Sequence, residues 1–498
     1  MAFLINNQFP GPMIKANWGD TVVVKLTNLL PNSIDNGTSL HFHGVRQNGT
    51  NEYDGVSSIT QCPLAPGDTM TYTWRATSYG SSWWHSHFSL QTYEGMFGPL
   101  VIEGPSTLSY DEEQFVILQD WNHATADSLF DDSQVVVPGV RGGGLTLDTG
   151  LINGKNVWGN GGEYWSMTVT PGKSYRLRVL NAAIQSTFKF HIDGHSFQVI
   201  AMDFVPIHPY TTDIVSVNIG QRYDLILTAN QAPANYWIRS DNQQPCGQLE
   251  QPNVQAILNY EGVKFATPTT TGLNYQPDCL DEPSASLVPY LAQDAGAQSA
   301  GEFVETSIIA ANGAVPNLYK WTLSGSTFQA NWNDPTLFSI WYDGDVPQYG
   351  GDLTVELPNA GEWVYFVIDS PMPLPHPIHL HGHDFLLLAS GVGTYSADVP
   401  LQLTNPPRRD VAVMPADPLT GSGGYLVVAY QVSNPGVWLM HCHIGWHNTM
   451  GFALQIVEMI DSIKIENTCQ LQETCVNWLN YANANSIFDA PFDDGSGG

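Results

Sequence analysis

The sequence predicts an all-β protein built from repeated sandwiches. Three observations carry this. First, short segments rich in β-branched and aromatic residues recur between Gly, Pro and Asn, as in Thr21–Thr27 (TVVVKLT), residues 174–180 (SYRLRVL) and residues 223–228 (YDLILT). Second, long helical periodicity is scarce, the best candidate being residues 470–481 near the C-terminus. Third, one pattern occurs three times along the 498 residues. At roughly 150 residues per domain that length fits about three domains, each able to bury its own core, and strands without helices pack as sheet on sheet.

The repeat defines the organisation. Its first element reads Leu40-His41-Phe42-His43-Gly44, then Phe190-His191-Ile192-Asp193-Gly194, then Ile378-His379-Leu380-His381-Gly382. His41, His191 and His379 correspond, as do His43, Asp193 and His381. A second element, Trp84-His85-Ser86-His87, returns as Met440-His441-Cys442-His443. Each is followed by a glycine, Gly95 or Gly451, and then by a strand-like run, residues 99–103 or 452–458. The expected domains are therefore 1–105, 106–264 and 303–498, with 265–302 as a linker. Residues 103–113 and the Pro/Thr/Gln-rich stretch 265–304 are the candidate connections. The first and third copies keep histidines at both elements, whereas the middle copy has lost them.

Composition removes several function classes. Acidic residues outnumber basic ones 47 to 17, a net charge of −30. A phosphate binder needs a Lys/Arg surface, so nucleic acid is excluded as a partner. Anionic membrane surfaces are disfavoured for the same reason. With 43% hydrophobic and 11% aromatic residues, the chain is not a disordered acidic tail. No apolar run approaches the roughly 18 residues of a membrane span. The N-terminal residues lack a basic segment and meet Pro10 early, so they do not read as a signal peptide. Six cysteines are too few for a disulfide scaffold of this length. The sequons at Asn36 and Asn48 allow N-glycosylation in a secreted protein.

Ten of the 15 histidines fall in four clusters: His41/His43, His85/His87, His376/His379/His381 and His441/His443/His447. His-x-His on a strand presents both imidazoles on one face, because side chains alternate with period two. Two such pairs on separate strands can face each other across a gap, and imidazole suits copper, zinc, iron or nickel. One His-x-His alone is compatible with a solvated or core pair; four clusters with Cys442 set between His441 and His443 are not. A thiolate with two histidines and a weak axial position makes a blue-copper electron-transfer site, which His376, Cys442 and His447 can supply. His123, His191, His195, His208 and His383 lie outside this pattern and read as structural or surface residues.

The motifs His-Phe-His-Gly, Trp-His-Ser-His, His-Pro-Ile-His-Leu-His-Gly-His and His-Cys-His-Ile-Gly-Trp-His resemble the four copper signatures of multicopper oxidases. Along nearly its whole length the chain is similar to fungal laccases of that family. The resemblance implies three cupredoxin-like Greek-key domains. A mononuclear site would lie in the third, a trinuclear cluster between the first and third, and the second would wall the substrate pocket. It implies four copper ions. His376, Cys442 and His447 would hold the type 1 ion, and His41 and His379 the type 2 ion. His43, His85, His87, His381, His441 and His443 would hold the type 3 pair. The axial position falls at Phe452, which cannot coordinate.

Further expectations follow from the same resemblance. Asp54 matches an acid beside the cluster that relays protons. Asp213 matches an acid that contacts the phenol in the substrate pocket, and His447 is the copper ligand that would also meet the substrate. Cys62 matches a cysteine that pairs with a C-terminal one, either Cys475 or Cys469, while Cys246 and Cys279 flank a loop and can pair. Such disulfides imply an oxidising, extracellular compartment. The usual opening strand of the first domain is absent upstream of Ile5, which leaves an edge open. Residues 492–498 do not resemble the acidic-aliphatic plug that ends some relatives. The expected partners are small aromatic substrates and dioxygen, without nucleic acid or membrane, the chain acting as a monomer. Phe452 in place of Met disfavours ascorbate and bilirubin oxidation. A simple electron carrier would leave the eight inner histidines without use.

Overall fold

The computed structural model describes residues 2–31, 36–134, 145–298, 303–312, 319–347, 353–485 and 487. Residues 492–498 lie outside these. The described residues form three successive two-sheet units.

In the first unit, Ile14–Asn17, Phe97–Glu103, Gly80–His85 and His41–Phe42 lie side by side in that order. They face a pair made of Thr21–Thr27 and Thr69–Arg75. Alternate residues of Thr69–Arg75 turn inward, so Met70, Tyr72 and Trp74 meet Phe42, Trp84 and Leu100 between the sheets. The middle unit packs a six-stranded sheet, with Arg222–Thr228, Ser174–Asn181 and Glu112–Trp121 at its centre, on a five-stranded one. The third unit repeats this six-on-five arrangement, and its five-stranded sheet runs Thr354–Leu357, Ala453–Glu458, Gly436–Cys442, His376–Leu380, Val411–Met414.

The repeat seen in the sequence is also a repeat of topology. Each unit pairs one early strand parallel to its last: Ile14–Asn17 with Phe97–Glu103, Ser166–Val169 with Gln255–Tyr260, and Thr354–Leu357 with Ala453–Glu458. The second and third units also share a further parallel pair, Glu112–Trp121 on Ser174–Asn181 and Phe303–Asn312 on Trp363–Ser370. Among the described residues the first unit has no counterpart. Thr21–Thr27 pairs only with Thr69–Arg75, and a groove of about 1160 Å³ runs along its free edge past Phe3, Ile14 and Leu40.

The connection between the first two units is residues 104–111, shorter than expected because strands continue through Glu103 and resume at Glu112. The stretch 265–298 holds no strand and lies on the second and third units through side-chain bonds. Glu282 accepts from Tyr210 and the Ser216 amide, and Asp281 accepts from Gln221 and the Val413 amide. The expected C-terminal helix spans Thr468–Asn485. It docks on the first unit: Gln470 bonds the main chain of Thr71 in both directions, and Cys475 pairs with Cys62 across 413 residues. Cys475 is therefore the partner and Cys469 is exposed and free. The second disulfide joins Cys246 and Cys279.

Candidate metal centres

Strand register builds the outer group. His376–Leu380 runs antiparallel to Gly436–Cys442, with Ile378 opposite Cys442. The short helix Gly445–Thr449 follows that strand and brings His447 back over it. Cys442 Sγ lies 3.6 Å from Nδ1 of both His376 and His447, and those two nitrogens are 3.1 Å apart. Ligand bonds of about 2.0–2.3 Å to a central ion would space three trigonal donors about 3.5 Å apart. The three residues thus fit one metal ion. All three are buried. Burial pushes the Cys442 thiol far up and the His376 imidazole down, so binding a metal must expel the thiol proton. Apolar and aromatic groups close the surroundings. The Phe452 ring stands 5.0 Å from that of His376, and Trp321 stands 4.3 Å from His447. Phe452 offers no donor atom beyond the carbonyl that accepts the Cys442 amide at 3.1 Å.

The inner group is assembled across the first and third units. His41 pairs in register with His85, and His379 with His441, so each His-x-His projects its imidazoles toward the other unit. Three trios of donor atoms converge: His41, His43 and His379; His43, His85 and His443; His87, His381 and His441. Burial is the main cause that lowers the imidazoles of His43, His85, His87, His379, His381 and His443 well below the ordinary value, and it takes His441 to about 4. Neutral imidazoles are the form that can ligate a metal.

Their second nitrogens are tied down. Nδ1 of His41, His379, His85 and His441 donates to the carbonyls of Asp54, Asp410, Ser86 and Cys442 at 2.7–3.0 Å. Nδ1 of His381 donates to the Asp54 carboxylate at 2.8 Å. This sets the tautomer and turns Nε2 lone pairs inward. Nε2 of His41, His85 and His379 is buried without a protein partner, and Nε2 of His381 and His441 face each other at 3.2 Å. Facing lone pairs in a dry interior are costly unless a cation sits between them. The donor set fits copper, which imidazole and thiolate ligands favour.

Asp54 caps the turn Asn51–Tyr53 and is wholly buried between His41 and His381. A narrow opening lined by His87, Ser89, Thr92, Tyr93, His441 and Asn448 leads toward the inner group. Asp213 is exposed, follows the strand Val205–Thr212, and accepts from Ser196 at 2.6 Å; it does not join the His376, Cys442 and His447 group. The remaining histidines have ordinary partners, such as Asp241 for His191, Tyr260 for His195 and Glu458 for His383. In the middle unit Asp193, at the place of His43 and His381, is held by Arg239 instead.

Two residues escaped sequence reasoning. Asp410 and Arg222 form a buried bidentate pair against His43. The available signal was the charged Arg408-Arg409-Asp410 heading the apolar run Val411–Met414, but its partner lies 188 residues away.

Comparison with known proteins agrees with this geometry. Family models described as multicopper oxidase match residues 1–107, 112–263 and 326–462. The chain is 46% identical to Laccase-1 of Botryotinia fuckeliana over 483 residues, 95% of this chain and 82% of that protein. The crystal structure of the laccase from Botrytis aclada superposes with a TM-score of 0.90 at 41% identity, covering 100% of this chain and 90% of that one. Fet3p, a multicopper oxidase that functions in iron import, superposes at 0.82 with 27% identity, covering 98% and 93%. With matches along the chain and buried donors that fit copper in both groups, this chain belongs to the multicopper oxidases.

Proposed function

We propose that this chain is a laccase, oxidising phenols and aromatic amines while reducing dioxygen to water. One observation supports this most: Cys442 of the outer group ends the strand Gly436–Cys442 and is flanked along the chain by His441 and His443 of the inner group. Of the five trios of donors, the four made of His and Cys alone support four copper ions. His376, Cys442 and His447 hold the type 1 ion; His41 and His379 hold the type 2 ion; His43, His85 and His443, with His87, His381 and His441, hold the type 3 pair. Bound copper would take electrons singly at the outer site and give four of them to dioxygen at the inner one.

The residues divide the remaining work. The main chain from Cys442 to His441 and His443 is a short path between the two sites. Asp54, held against His381, is placed to hand protons to reduced oxygen. His447 is the outer ligand that faces the substrate, and Asp213 orients the phenol and accepts its proton. Phe452 adds no ligand and excludes water. Two disulfides fit a secreted protein, and among the described residues no helix is long and apolar enough to cross a membrane. The chain acts as a monomer on small aromatic substrates and dioxygen.

Purified protein should be blue, contain four copper ions per chain and consume dioxygen when given a phenol. A colourless preparation that takes up only zinc after copper reconstitution would sink the proposal, and a blue protein without oxygen uptake would make it an electron carrier. Replacing Asp213 by Ala should weaken phenol oxidation about tenfold or more, as removal of a positioned proton acceptor does, with a much smaller loss for a non-phenolic one-electron donor. Equal losses for both donors, measured as kcat/KM, would make Asp213 structural.

A further inference from the structure

Among the described residues the middle unit contributes to none of the donor groups, yet one of its side chains reaches the inner cluster. Arg222 is fully buried and clamps Asp410 of the third unit, Nη1 to Oδ1 at 2.5 Å and Nη2 to Oδ2 at 2.6 Å. Asp410 Oδ1 in turn lies 3.2 Å from Nε2 of His43 in the first unit. The Asp410 carbonyl accepts from Nδ1 of His379 at 2.8 Å. A single residue thus touches one inner histidine from each of the two ligand-bearing units. The arginine beside it belongs to the unit that bears none.

The contact on His43 differs from those on its neighbours. His41, His85, His379, His381 and His441 all bond through Nδ1. His43 bonds through Nε2, and its Nδ1 faces Nε2 of His443 at 3.4 Å. An ionised carboxylate only accepts, so Nε2 of His43 carries the hydrogen and Nδ1 keeps the lone pair. Arg222 keeps Asp410 in that acceptor state and fixes its direction, since a bidentate guanidinium–carboxylate pair is both strong and planar.

The local sequence makes room for this arrangement. A Cβ at Gly44 would sit 2.4 Å from Asp410 Oδ2 and 2.8 Å from Arg222 Nη2. A Cβ at Gly220 would sit 2.9 Å from the His443 ring, and the Gly220 carbonyl accepts from Arg222 Nη1 at 3.0 Å. Both glycines adopt positive φ, 73° and 80°. The glycine that closes His41-Phe42-His43-Gly44 therefore serves the ion pair. Asp203 anchors the other side, accepting from the Arg222 amide at 3.0 Å and from Arg409 Nε at 3.1 Å.

We propose that Asp410, aimed by Arg222, is a positioning residue that makes His43 a ligand through Nδ1, so that docking of the middle unit completes the inner cluster. This rests on the ligand assignment proposed above. Single substitutions leave a buried unpaired charge and endanger folding, so both charges are removed together. In Arg222→Met/Asp410→Leu, His43 loses its acceptor. In Arg222→Met/Asp410→Asn, the amide oxygen can still accept from Nε2. Each is purified as holoenzyme and compared with the parent by thermal unfolding, by copper retained per chain after dialysis against a chelator, and by the fraction of copper visible to EPR.

The Leu variant should keep its blue colour but hold inner copper roughly 10–100-fold more weakly, the range typical for loss of an outer-shell partner. The EPR-visible fraction should rise as the coupled pair is lost. The Asn variant should stay close to the parent. Parent-like copper retention and EPR in the Leu variant would overturn the inference, and so would equal losses in both variants, which would point to general loosening between units. If the parent itself shows no EPR-silent copper, the ligand assignment fails rather than the role of Asp410.

Discussion

Cys442→Ser should abolish the blue absorption and phenol oxidation together. Cys442 is the one sulfur in the donor groups, and its Sγ faces both outer imidazoles at 3.6 Å. Serine is nearly isosteric, so the strand Gly436–Cys442 and its pairing with His376–Leu380 should survive. A neutral hydroxyl is a far poorer ligand for copper than a thiolate. The inner histidines are not altered, and four of them, His41, His85, His379 and His441, keep their bonds to backbone carbonyls, so copper content should fall by the outer ion only. Copper analysis and visible absorption check this, and a variant that stays blue would show that the colour arises elsewhere.

Phe452→Met should lower the reduction potential of the outer site without changing copper content. The Phe452 ring stands against His376 and Trp321, with ring centres 5.0 and 5.8 Å away, and gives the site no fourth donor. A thioether lone pair would stabilise the more positive oxidised state. The present apolar wall excludes water and disfavours that state, which keeps the potential high. For a one-electron transfer, each lowering of about 60 mV shifts the equilibrium about tenfold against oxidation of the phenol. Electron-poor phenols should therefore slow before electron-rich ones. Spectroelectrochemistry of the two proteins decides the matter: an unchanged or higher potential in the Met variant would mean that residue 452 does not face the metal.

Much of the chemistry was legible in the sequence because its units are local. A His-x-His pair needs only strand periodicity to present two imidazoles together, and the four clusters at 41–43, 85–87, 376–381 and 441–447 are found on or beside such strands. The all-β architecture was legible for a similar reason. Thr21–Thr27 and the runs within Ser174–Asn181 and Arg222–Thr228 carry their own β-branched and aromatic bias between turn residues. The C-terminal helix was underestimated at both ends, since frayed or polar ends such as Thr468 and Asn485 carry little periodic signal.

By itself the sequence determined the kinds of ligand, their pairing along each strand and the place of Cys442 between two inner histidines. These depend on neighbours in the chain. Only the tertiary structure decided which histidine donors converge, that His43 turns its Nδ1 toward His443, and that Arg222 holds Asp410 behind it. It also chose Cys475 over Cys469 for Cys62, because the helix Thr468–Asn485 buries Cys475 against the first unit and leaves Cys469 outside. The physical reason is separation: Asp54 and His381 lie 327 residues apart, and His43 and Asp410 lie 367 apart. Contacts of that range come from how three sandwiches dock, and docking is set by the shape and charge of whole faces rather than by any run of adjacent residues.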